Sequence, residues 1–291
     1  MAALRVPSEA TFSLRWFIQG NCISVLYFML RSYPTISPFV EIFSQRYLES
    51  IVVYALINFL YCWIFYKTYF TRQVAFQGCL LGVLSGTGLI IGFSSNTFHP
   101  FGWYLVILSF FHFSEFFSTC IYNYESLSLD SYLLNHSIAY HVAAFASWLE
   151  FFIELYFFPG LKSLWYISFL GILLCAGGGE FLRKSAMLTA GRSFNHYIQT
   201  TKADDHELVT RGVYSLSRHP SYVGWFYWSI GTQLILCNPV CCLGYSVTSW
   251  RFFNERVEDE EITLIAFFGQ RYVDYQKRVG TMLPFIQGYK L

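Results

Sequence analysis

The chain carries few charged residues, and this scarcity excludes an ordinary soluble fold. Asp, Glu, Lys and Arg make up only 13% of its 291 residues, whereas about 25% is usual in soluble domains. Hydrophobic residues account for 55% of the chain and aromatic residues for 21%, which is more apolar surface than a soluble fold of this length can bury. We therefore expect lipid to cover part of the protein. The net charge of +1 also argues against a nucleic-acid partner, because such proteins present a basic face.

Several chemical motifs are also missing. No CxxC pair occurs among the eight cysteines, and the cluster Cys237–Cys242 does not have the spacing of a zinc ribbon. We therefore interpret the thiols as core residues and expect no metal. The glycine run Gly177–Gly179 is not a nucleotide-binding loop, since no strand precedes it and no GxGxxG follows it. No Ser/His/Asp arrangement with a nucleophile elbow supports hydrolase chemistry.

Hydrophobic runs predict the membrane spans. A helix that crosses the hydrocarbon core of a bilayer needs about 20 mostly apolar residues. The start of the chain does not resemble a signal peptide, because it contains Glu9 and the first apolar run continues as a full span. Four of the predicted spans are single apolar runs, approximately Trp16–Leu30, Ile51–Tyr66, Leu134–Phe158 and Leu164–Leu182. Two more are the halves of the charge-free stretch Gln73–Ser114, which is split at Ser94–Pro100. The last two are the halves of the charge-free stretch His219–Trp250, which is split at Asn238-Pro239.

The distribution of charge divides the chain in two. Of 37 charged residues, 21 follow position 182, so the polar chemistry is concentrated in the last third. We predict an all-α, polytopic membrane protein of about eight transmembrane helices with a cytosol-facing C-terminal catalytic region. Its domains would be residues 1–160, with spans one to five, and residues 161–291, with spans six to eight, the cofactor motifs and a cytosolic tail.

The basic loops predict the orientation. An even number of spans puts both termini on one side, and Lys and Arg concentrate in cytosolic loops. The basic pair Lys67 and Arg72, the segment 183–218 and the C-terminal tail all fall on the side of the termini, whereas the Ser94–Pro100 loop has no charge. We therefore expect both termini in the cytosol. The acidic segment after span four does not change this expectation, since acidic residues weigh little in the rule.

One polar segment, His206–Gly224, is dense in groups that can bind a ligand. Gly212 permits a tight turn, and Pro220 suits the first position of a helix. Such a helix directs its free N–H groups and positive dipole end at the membrane boundary, where a carboxylate-bearing ligand would be stabilised. On spacing alone, the segment is equally well a basic loop that leads into a capped helix.

Two further charged groups allow two interpretations each. Arg256 and Glu260 share a helix face at i,i+4, as do Arg251 and Glu255, which is typical of a solvated face with weak ion pairs. Their position directly after a membrane hairpin also fits side chains that face a cavity. The group Glu180–Lys184 ends span six, where Lys and Arg commonly extend to the membrane surface. Arg183 is its most interesting member, and the glycine run before it allows a kink or a close helix approach.

Weaker signals remain inside the predicted spans. His112 with Glu115 has the i,i+3 spacing of a metal-binding pair, but no second such motif completes a site. The pairs Glu150 with Glu154 and His136 with His141 are further weak signals of this type. We interpret all three pairs as polar residues that pair with each other in the protein core.

The C-terminal motifs resemble those of a known family. His206-x-Leu-Val-Thr-x-Gly-x-Tyr214, followed by Arg218-His219-Pro220-x-Tyr222-x-Gly224-x-x-x-Trp228, is similar to the cofactor motif of isoprenylcysteine carboxyl methyltransferases. The resemblance continues through Asn195-His196-x-x-Gln199, through Arg256-x-x-x-Glu260-Glu261 and on to Phe268-Gly269 and Tyr272. It covers roughly Glu180 to Tyr289, while the N-terminal spans match only in hydrophobicity and number.

The resemblance implies an enzyme of the endoplasmic reticulum membrane that uses S-adenosyl-L-methionine. Its substrates would be CaaX-processed, prenylated proteins of the small GTPase type, methylated on the α-carboxylate of a farnesylated or geranylgeranylated C-terminal cysteine. Arg256 would contact the substrate, and Arg183 matches an arginine with a suspected catalytic role. The implied cofactor site consists of Gln199, His206, Glu207, Leu208, Val209, Tyr214, His219, Pro220, Ser221, Tyr222 and Glu260.

Three alternatives remain at this stage. A sterol-type membrane reductase would bind NADPH. The 2′-phosphate of NADPH requires a cluster of basic residues, and Arg211 and Arg218 are the only support for such a cluster. A phospholipid N-methyltransferase would share the methyl donor but accept amines. A transporter or channel would use Glu150 and Glu154, yet it leaves the density of motifs near the C-terminus unexplained.

Overall fold

All regular elements that the structure describes are helices. It is a computed structural model that describes residues 7–32, 46–95, 97–135, 137–202 and 206–290, and no strand occurs among them. Asn96 and His136, two residues of the sequence patterns above, lie outside this part of the chain. The helices are α1 Ser8–Ser32, α2 Tyr47–Phe65, α3 Tyr69–Ser94, α4 His99–Tyr122, α5 Ile138–Phe157, α6 Pro159–Lys162, α7 Trp165–Leu173, α8 Leu182–Ala190, α9 Pro220–Leu236, α10 Pro239–Phe268 and α11 Gln270–Arg278.

The helices confirm the predicted all-α membrane architecture. Within the described part of the chain, five helices are long and apolar enough to cross a membrane: α2, α3, α4, α5 and the continuous helical run Trp165–Ser193. Helices α1, α9 and α10 occupy the positions of the other three predicted spans. The total of eight spans stays a prediction.

The chain forms two compact units. The first contains residues 1–121 and 128–136, and the second contains residues 122–127 and 137–291. The predicted site residues all belong to the second unit. The functional division at residue 160 stays a prediction.

Glycines let two helices of the first unit pack with their backbones in contact. A Cβ atom on Gly20 of α1 would lie 2.4 Å from the Cys79 carbonyl oxygen of α3, and one on Gly82 would lie 2.2 Å from the Phe17 carbonyl oxygen. Small residues at such an interface allow close packing where no hydrophobic force drives helices together. In the same unit, the imidazole of His112 has a hydrogen-bonding partner within the core, since its Nδ1 lies 2.8 Å from the Tyr132 carbonyl oxygen.

In the second unit, a π-helix joins α7 to α8. It runs over Leu174–Phe181 and includes the three glycines. A Cβ atom on Gly179 would lie 2.7 Å from Trp228 Cβ of α9, and one on Gly224 of α9 would lie 2.9 Å from Arg183 Cβ. Of the two possibilities that the glycine run allowed, a kink or a close helix approach, the structure shows the close approach, and Gly224 brings Arg183 against α9. The π-helix itself was not predicted.

Helices α9 and α10 form the predicted hairpin. Pro220 is the first residue of α9, and Pro239 is the first residue of α10. Between them Cys237 adopts a left-handed conformation with φ 52° and accepts, through its carbonyl oxygen, a 2.9 Å hydrogen bond from Lys162 Nζ. Lys162 also donates to Asn238 Oδ1 at 2.8 Å and forms a 2.6 Å ion pair with Glu154. Its ammonium thus neutralises the negative C-terminal end of α9.

A carboxylate caps the second helix of the hairpin. Glu150 accepts hydrogen bonds from the backbone N–H groups of Val240, at 2.7 Å, and Cys241, at 2.6 Å. These donors have no partner inside the helix, and a negative charge is favourable at that end. Glu150 and Glu154, the residues that suggested a transporter, therefore hold the hairpin turn in place.

Replacing Lys162 with methionine tests this arrangement. Lys162→Met removes a charged partner from the partly buried Glu154 carboxylate and from the carbonyl groups at the end of α9, and breaking a buried ion pair costs about 3–5 kcal/mol. We expect the midpoint of thermal unfolding in detergent to fall by several degrees. Arg251→Met is the control, because the Arg251–Glu255 pair is solvent-exposed and such pairs contribute about 0–1 kcal/mol. Equal midpoints for the two variants would contradict the assignment.

Candidate active site

The polar end of the hairpin contains a cleft. It encloses roughly 650 Å³ of space, a figure that includes the part open to solvent. Helices α8, α9 and α10, the loops before α9 and helix α11 all contribute side chains. The lining residues are Ala190, Ser193, Phe194, Asn195, His206, Glu207, Leu208, Val209, Tyr214, Arg218, His219, Pro220, Ser221, Tyr222, Glu260, Leu264, Phe268, Tyr272 and Tyr275.

Local structure explains how the loop His206–Tyr214 reaches the cleft. Gly212 has φ +58°, as the predicted tight turn requires, and it begins a short 3₁₀ turn that ends at Ser215. The Tyr275 hydroxyl of α11 donates a hydrogen bond to the Tyr214 carbonyl oxygen. Upstream, the Glu207 N–H donates to Ser193 Oγ at 3.2 Å. The loop is therefore held at both ends.

One face of α10 forms the opposite wall. Glu260, Leu264 and Phe268 follow each other at intervals of four residues, which places them on the same side of a helix. The Phe268 ring meets the His206 ring edge-on, with centroids 5.4 Å apart. This spacing is the signal by which the sequence could have added Leu264 to the site.

His219 lies between two carboxylates at the start of α9. Its Nε2 is 3.1 Å from Glu261 Oε1 and its Nδ1 is 3.3 Å from Glu260 Oε2. Its ring stacks in parallel on Tyr222 with centroids 5.4 Å apart. Burial disfavours the imidazolium, but the two carboxylates outweigh burial and raise the pKa of His219 from 6.5 to about 9. The described residues hold no group of three or more His, Cys, Asp and Glu side chains that could bind a metal ion.

Glu261 is the centre of a second, fully buried network. Its side chain has no solvent exposure, and it accepts a 2.7 Å charged hydrogen bond from Arg218 Nε. Tyr272 Oη donates to it at 3.1 Å, Gln276 Nε2 at 2.9 Å and the Tyr289 backbone N–H at 2.9 Å. Burial alone would raise the pKa of Glu261, but His219 and Arg218 lower it from 4.5 to about 2.

The two pKa shifts have opposite consequences for stability at the extremes of pH. The raised pKa of His219 contributes stability that is complete below about pH 6.5 and is lost as the pH rises through about 9. The lowered pKa of Glu261 contributes stability that is complete above about pH 4.5 and is lost as the pH falls towards about 2. Both contributions to stability are therefore complete between about pH 4.5 and pH 6.5.

The acidic stretch of α10 therefore combines two environments. Arg251 and Glu255 form an exposed 3.1 Å ion pair, as expected for a solvated helix face. Glu260 and Glu261 instead point into polar networks of the fold, with side chains 30% and 0% exposed. The sequence singled out Glu260 through the family motif, and it missed the separate role of Glu261.

Arg256 is fixed beside the cleft by two hydrogen bonds. Its Nε donates to the Tyr222 hydroxyl at 2.9 Å, and its Nη2 donates to the His196 carbonyl oxygen at 2.6 Å. Its Nη1 has no hydrogen-bond partner among the described residues. Because Tyr222 also lines the cleft, one hydroxyl group connects the cleft to the arginine.

Arg183 is buried behind the cleft. Its Nη1 donates to Ser221 Oγ at 2.7 Å, and its guanidinium lies 4.8 Å from the centre of the Trp225 ring. Ser221 lines the cleft, so Arg183 reaches the cleft through this serine. Its neighbour Lys184 lies 3.6 Å from Glu180, in a pair along the helix.

Ten of the eleven predicted cofactor residues line this one cleft. Gln199 is not among the lining residues, and its Nε2 donates to the Tyr197 carbonyl oxygen at 3.0 Å. One feature of the cleft fits a cationic ligand: Glu260 Oε2 is buried and accepts no hydrogen bond from the described residues, although His219 Nδ1 lies near it. A ligand ammonium group would satisfy this oxygen.

Comparison with known proteins decides the family. A model of the isoprenylcysteine carboxyl methyltransferase family matches residues 170–266. Protein-S-isoprenylcysteine O-methyltransferase of Mus musculus is 55% identical over 219 residues, which cover 75% of this chain and 77% of that protein. The chain belongs to this family. The Tribolium castaneum relative of the same name is 48% identical over 84% of this chain and 89% of its own length.

A solved structure agrees with the family assignment. The structure of a eukaryotic intramembrane Ras methyltransferase, also named isoprenylcysteine carboxyl methyltransferase, has a TM-score of 0.90 and 43% sequence identity. The match covers 97% of this chain and 99% of that chain. The resemblance inferred from the C-terminal motifs is confirmed, and the chain is a membrane methyltransferase.

Gly288→Ala tests the network around Glu261. Gly288 has φ +77°, and a Cβ atom there would lie 2.0 Å from Glu261 Oε2. The substitution must therefore displace the carboxylate from Arg218, and we expect a loss of stability approaching the 3–5 kcal/mol or so of a broken buried pair. Thermal unfolding in detergent measures the effect.

Gly280→Ala is the matched control in the same tail. No atom lies within 4 Å of a Cβ atom built at this position, and its backbone is not left-handed. If Gly288→Ala unfolded at the same temperature as Gly280→Ala, the Glu261 network would not be the stabilising element described above.

Proposed function

We propose that this methyltransferase transfers a methyl group from S-adenosyl-L-methionine to the C-terminal α-carboxylate of a farnesylated or geranylgeranylated cysteine. The names of its relatives refer to S-isoprenylcysteine, and the solved relative is described as a Ras methyltransferase. CaaX-processed proteins of the small GTPase type are the corresponding substrates. The observation that carries the proposal is the series of contacts from Glu260 in the cleft, through His219 and the stacked ring of Tyr222, to Arg256 beside it.

The cleft has the groups that would hold the methyl donor. S-adenosylmethionine supplies an electrophilic methyl group on a sulfonium centre. Glu260 is placed to bind a cationic amino group through Oε2, which accepts no hydrogen bond from the described residues and lies 3.3 Å from His219 Nδ1. The rings of Tyr214, Tyr222 and Phe268 offer flat apolar surfaces to a nucleobase. His206, Glu207, Leu208, Val209, His219, Pro220 and Ser221 complete this proposed site.

The acceptor needs orientation more than activation. An α-carboxyl group titrates near pH 3.3–3.7, so it is already ionised at neutral pH and needs no general base. Arg256 is anchored through Nε and Nη2, which leaves Nη1 to donate to the carboxylate. A planar guanidinium holds a carboxylate in a fixed orientation. Because its charge also lowers the reactivity of the nucleophile, the contribution of Arg256 lies in alignment.

The roles of Arg183 and Gln199 are proposed in less detail. We assign Arg183 a positioning role, because its contact with the cleft runs through Ser221. A direct catalytic role would require a change in this contact when substrates bind. Gln199 belongs to the segment that follows His196, and its proposed contact with the cofactor requires this segment to close over the cleft.

The two substrates would reach the site by different routes. The water-soluble donor enters from the cytosol, on which side we place both termini and the motif loops. The prenyl chain enters sideways from the bilayer of the endoplasmic reticulum, between helices. Each buried CH₂ group contributes about 0.8 kcal/mol, so the lipid provides most of the binding energy of the acceptor. Closure around both substrates would strip water from the carboxylate.

A label-transfer assay tests the reaction. Purified protein in lipid receives S-adenosylmethionine with a labelled methyl group and either N-acetyl-farnesylcysteine or phosphatidylethanolamine. We expect label on the prenylcysteine alone. Label on the phospholipid would identify an amine methyltransferase, and binding of NADPH without binding of S-adenosylhomocysteine would exclude the proposed donor.

Two variants separate the roles of the donor and acceptor residues. Arg256→Ala should abolish methyl transfer while calorimetry shows nearly unchanged affinity for S-adenosylhomocysteine, because Arg256 is assigned to the acceptor. Glu260→Ala should weaken that affinity by about tenfold or more, the loss of a charge-assisted hydrogen bond of about 1.5–3 kcal/mol. Glu255→Ala, one turn away and exposed, is the control. The opposite pattern of affinities would refute both assignments.

A further inference from the structure

The tail after α11 holds two apolar side chains away from the protein. Met282 is 54% exposed and Phe285 is 94% exposed, and both have a left-handed backbone, with φ 60° and 62°. Bulky residues rarely adopt this conformation, which persists only where the surroundings impose it. Leu283 and Ile286, in the same segment, are each only 4% exposed. We call residues Met282–Phe285 the apolar finger.

Hydrogen bonds determine the backbone of the apolar finger. Thr281 Oγ1 donates to the Ile286 carbonyl oxygen across its base, and Ser217 Oγ donates to the Thr281 carbonyl oxygen at 2.6 Å. The indole N–H of Trp250 donates to the Pro284 carbonyl oxygen at 2.6 Å. The exposure of the two side chains is therefore built into the fold.

These contacts place the apolar finger at a membrane boundary. Trp250 is the last residue of the charge-free stretch of the hairpin, and Arg251, the next residue, has a side chain 80% exposed. Tryptophan is enriched at this level of membrane proteins. Leu283 and Ile286 pack in one cluster with Phe253 of α10 and Phe226 of α9. The apolar finger is thus continuous with the hairpin surface at the predicted membrane boundary of the last span.

The segment of the chain that carries the apolar finger is mainly basic. From Gln270 to Lys290 inclusive, it contains four basic residues and one acidic residue. Lys277, Arg278 and Lys290 are exposed, and the acidic residue, Asp274, lies 3.6 Å from Lys277. Basic side chains beside exposed apolar ones are typical of surfaces that bind anionic lipid membranes.

We propose that the apolar finger inserts Met282 and Phe285 into the interfacial region of the bilayer, with the neighbouring basic residues over anionic headgroups. The occupant of this surface is bilayer lipid. The insertion holds the C-terminal tail, and with it the half of α10 that carries Glu261, at the membrane surface. The proposal does not depend on which methyl acceptor the enzyme uses.

Photocrosslinking in liposomes tests the insertion. A photoreactive benzoylphenylalanine replaces Phe285 in the full chain, reconstituted with labelled phosphatidylcholine and phosphatidylserine. The control carries the same probe in place of Ile262, a 46% exposed residue on the polar half of α10. We expect several-fold more labelled lipid on the probe at 285. Equal or lower labelling at 285, or crosslinking of that probe to a second protein chain instead of lipid, would overturn the proposal.

A second variant separates lipid contact from packing. Asparagine tolerates a left-handed backbone better than phenylalanine does, so Phe285→Asn should leave the midpoint of thermal unfolding in detergent unchanged or raise it. With the photoreactive probe now in place of Met282, Phe285→Asn should also reduce lipid labelling several-fold in liposomes. A lower midpoint with unchanged lipid labelling would show that Phe285 serves the fold and not the membrane.

Discussion

The Glu261 carboxylate is completely removed from water, and a buried charge persists only where charged and hydrogen-bonding partners surround it. Its partners come from three separate segments of the chain. Arg218 and His219 lie just before α9, Tyr272 and Gln276 lie on α11, and the Tyr289 backbone belongs to the tail. To satisfy one carboxylate, the loop before α9, helix α10 and the C-terminal tail must therefore come together.

This requirement shapes the adjoining cleft. His219 contacts Glu261 on one side and Glu260 on the other, so the network that closes the fold also orients the carboxylate assigned to the ligand. Tyr222 stacks on His219 and accepts a hydrogen bond from Arg256. The contacts run from the buried Glu261 carboxylate, through the stacked rings of His219 and Tyr222, to Arg256, which we assign to the acceptor. Such a rigid chain of contacts suits a reaction that depends on alignment.

The hairpin was predictable because its signals are local. A charge-free run broken at Asn238-Pro239 predicts two helices joined by a tight turn, and Pro220 suits the first position of a helix. Most cleft residues were predictable for a different reason, since a long combined motif identified the family. Spacing alone left the segment His206–Gly224 open between a binding site and a capped helix.

The remaining features depend on tertiary partners. Glu260 and Glu261 are neighbours of the same chemical type, and only the fold sends one towards a cleft and the other into a closed network. Lys162 lies in a short segment with no distinguishing pattern, yet it neutralises a helix end 74 residues away. The π-helix over Leu174–Phe181 packs against α9, where Gly179 meets Trp228. Glycines permit this geometry but do not specify it.

The central claim is that Glu261 maintains the shape of the proposed donor site without itself lining the cleft. Calorimetric titration of Glu261→Gln with S-adenosylhomocysteine tests it most directly, because Glu261 does not line the cleft while its partners Arg218, His219 and Tyr272 do. The account predicts clearly weaker binding by a protein that still folds and inserts into lipid. Binding as tight as that of the unaltered chain would contradict it.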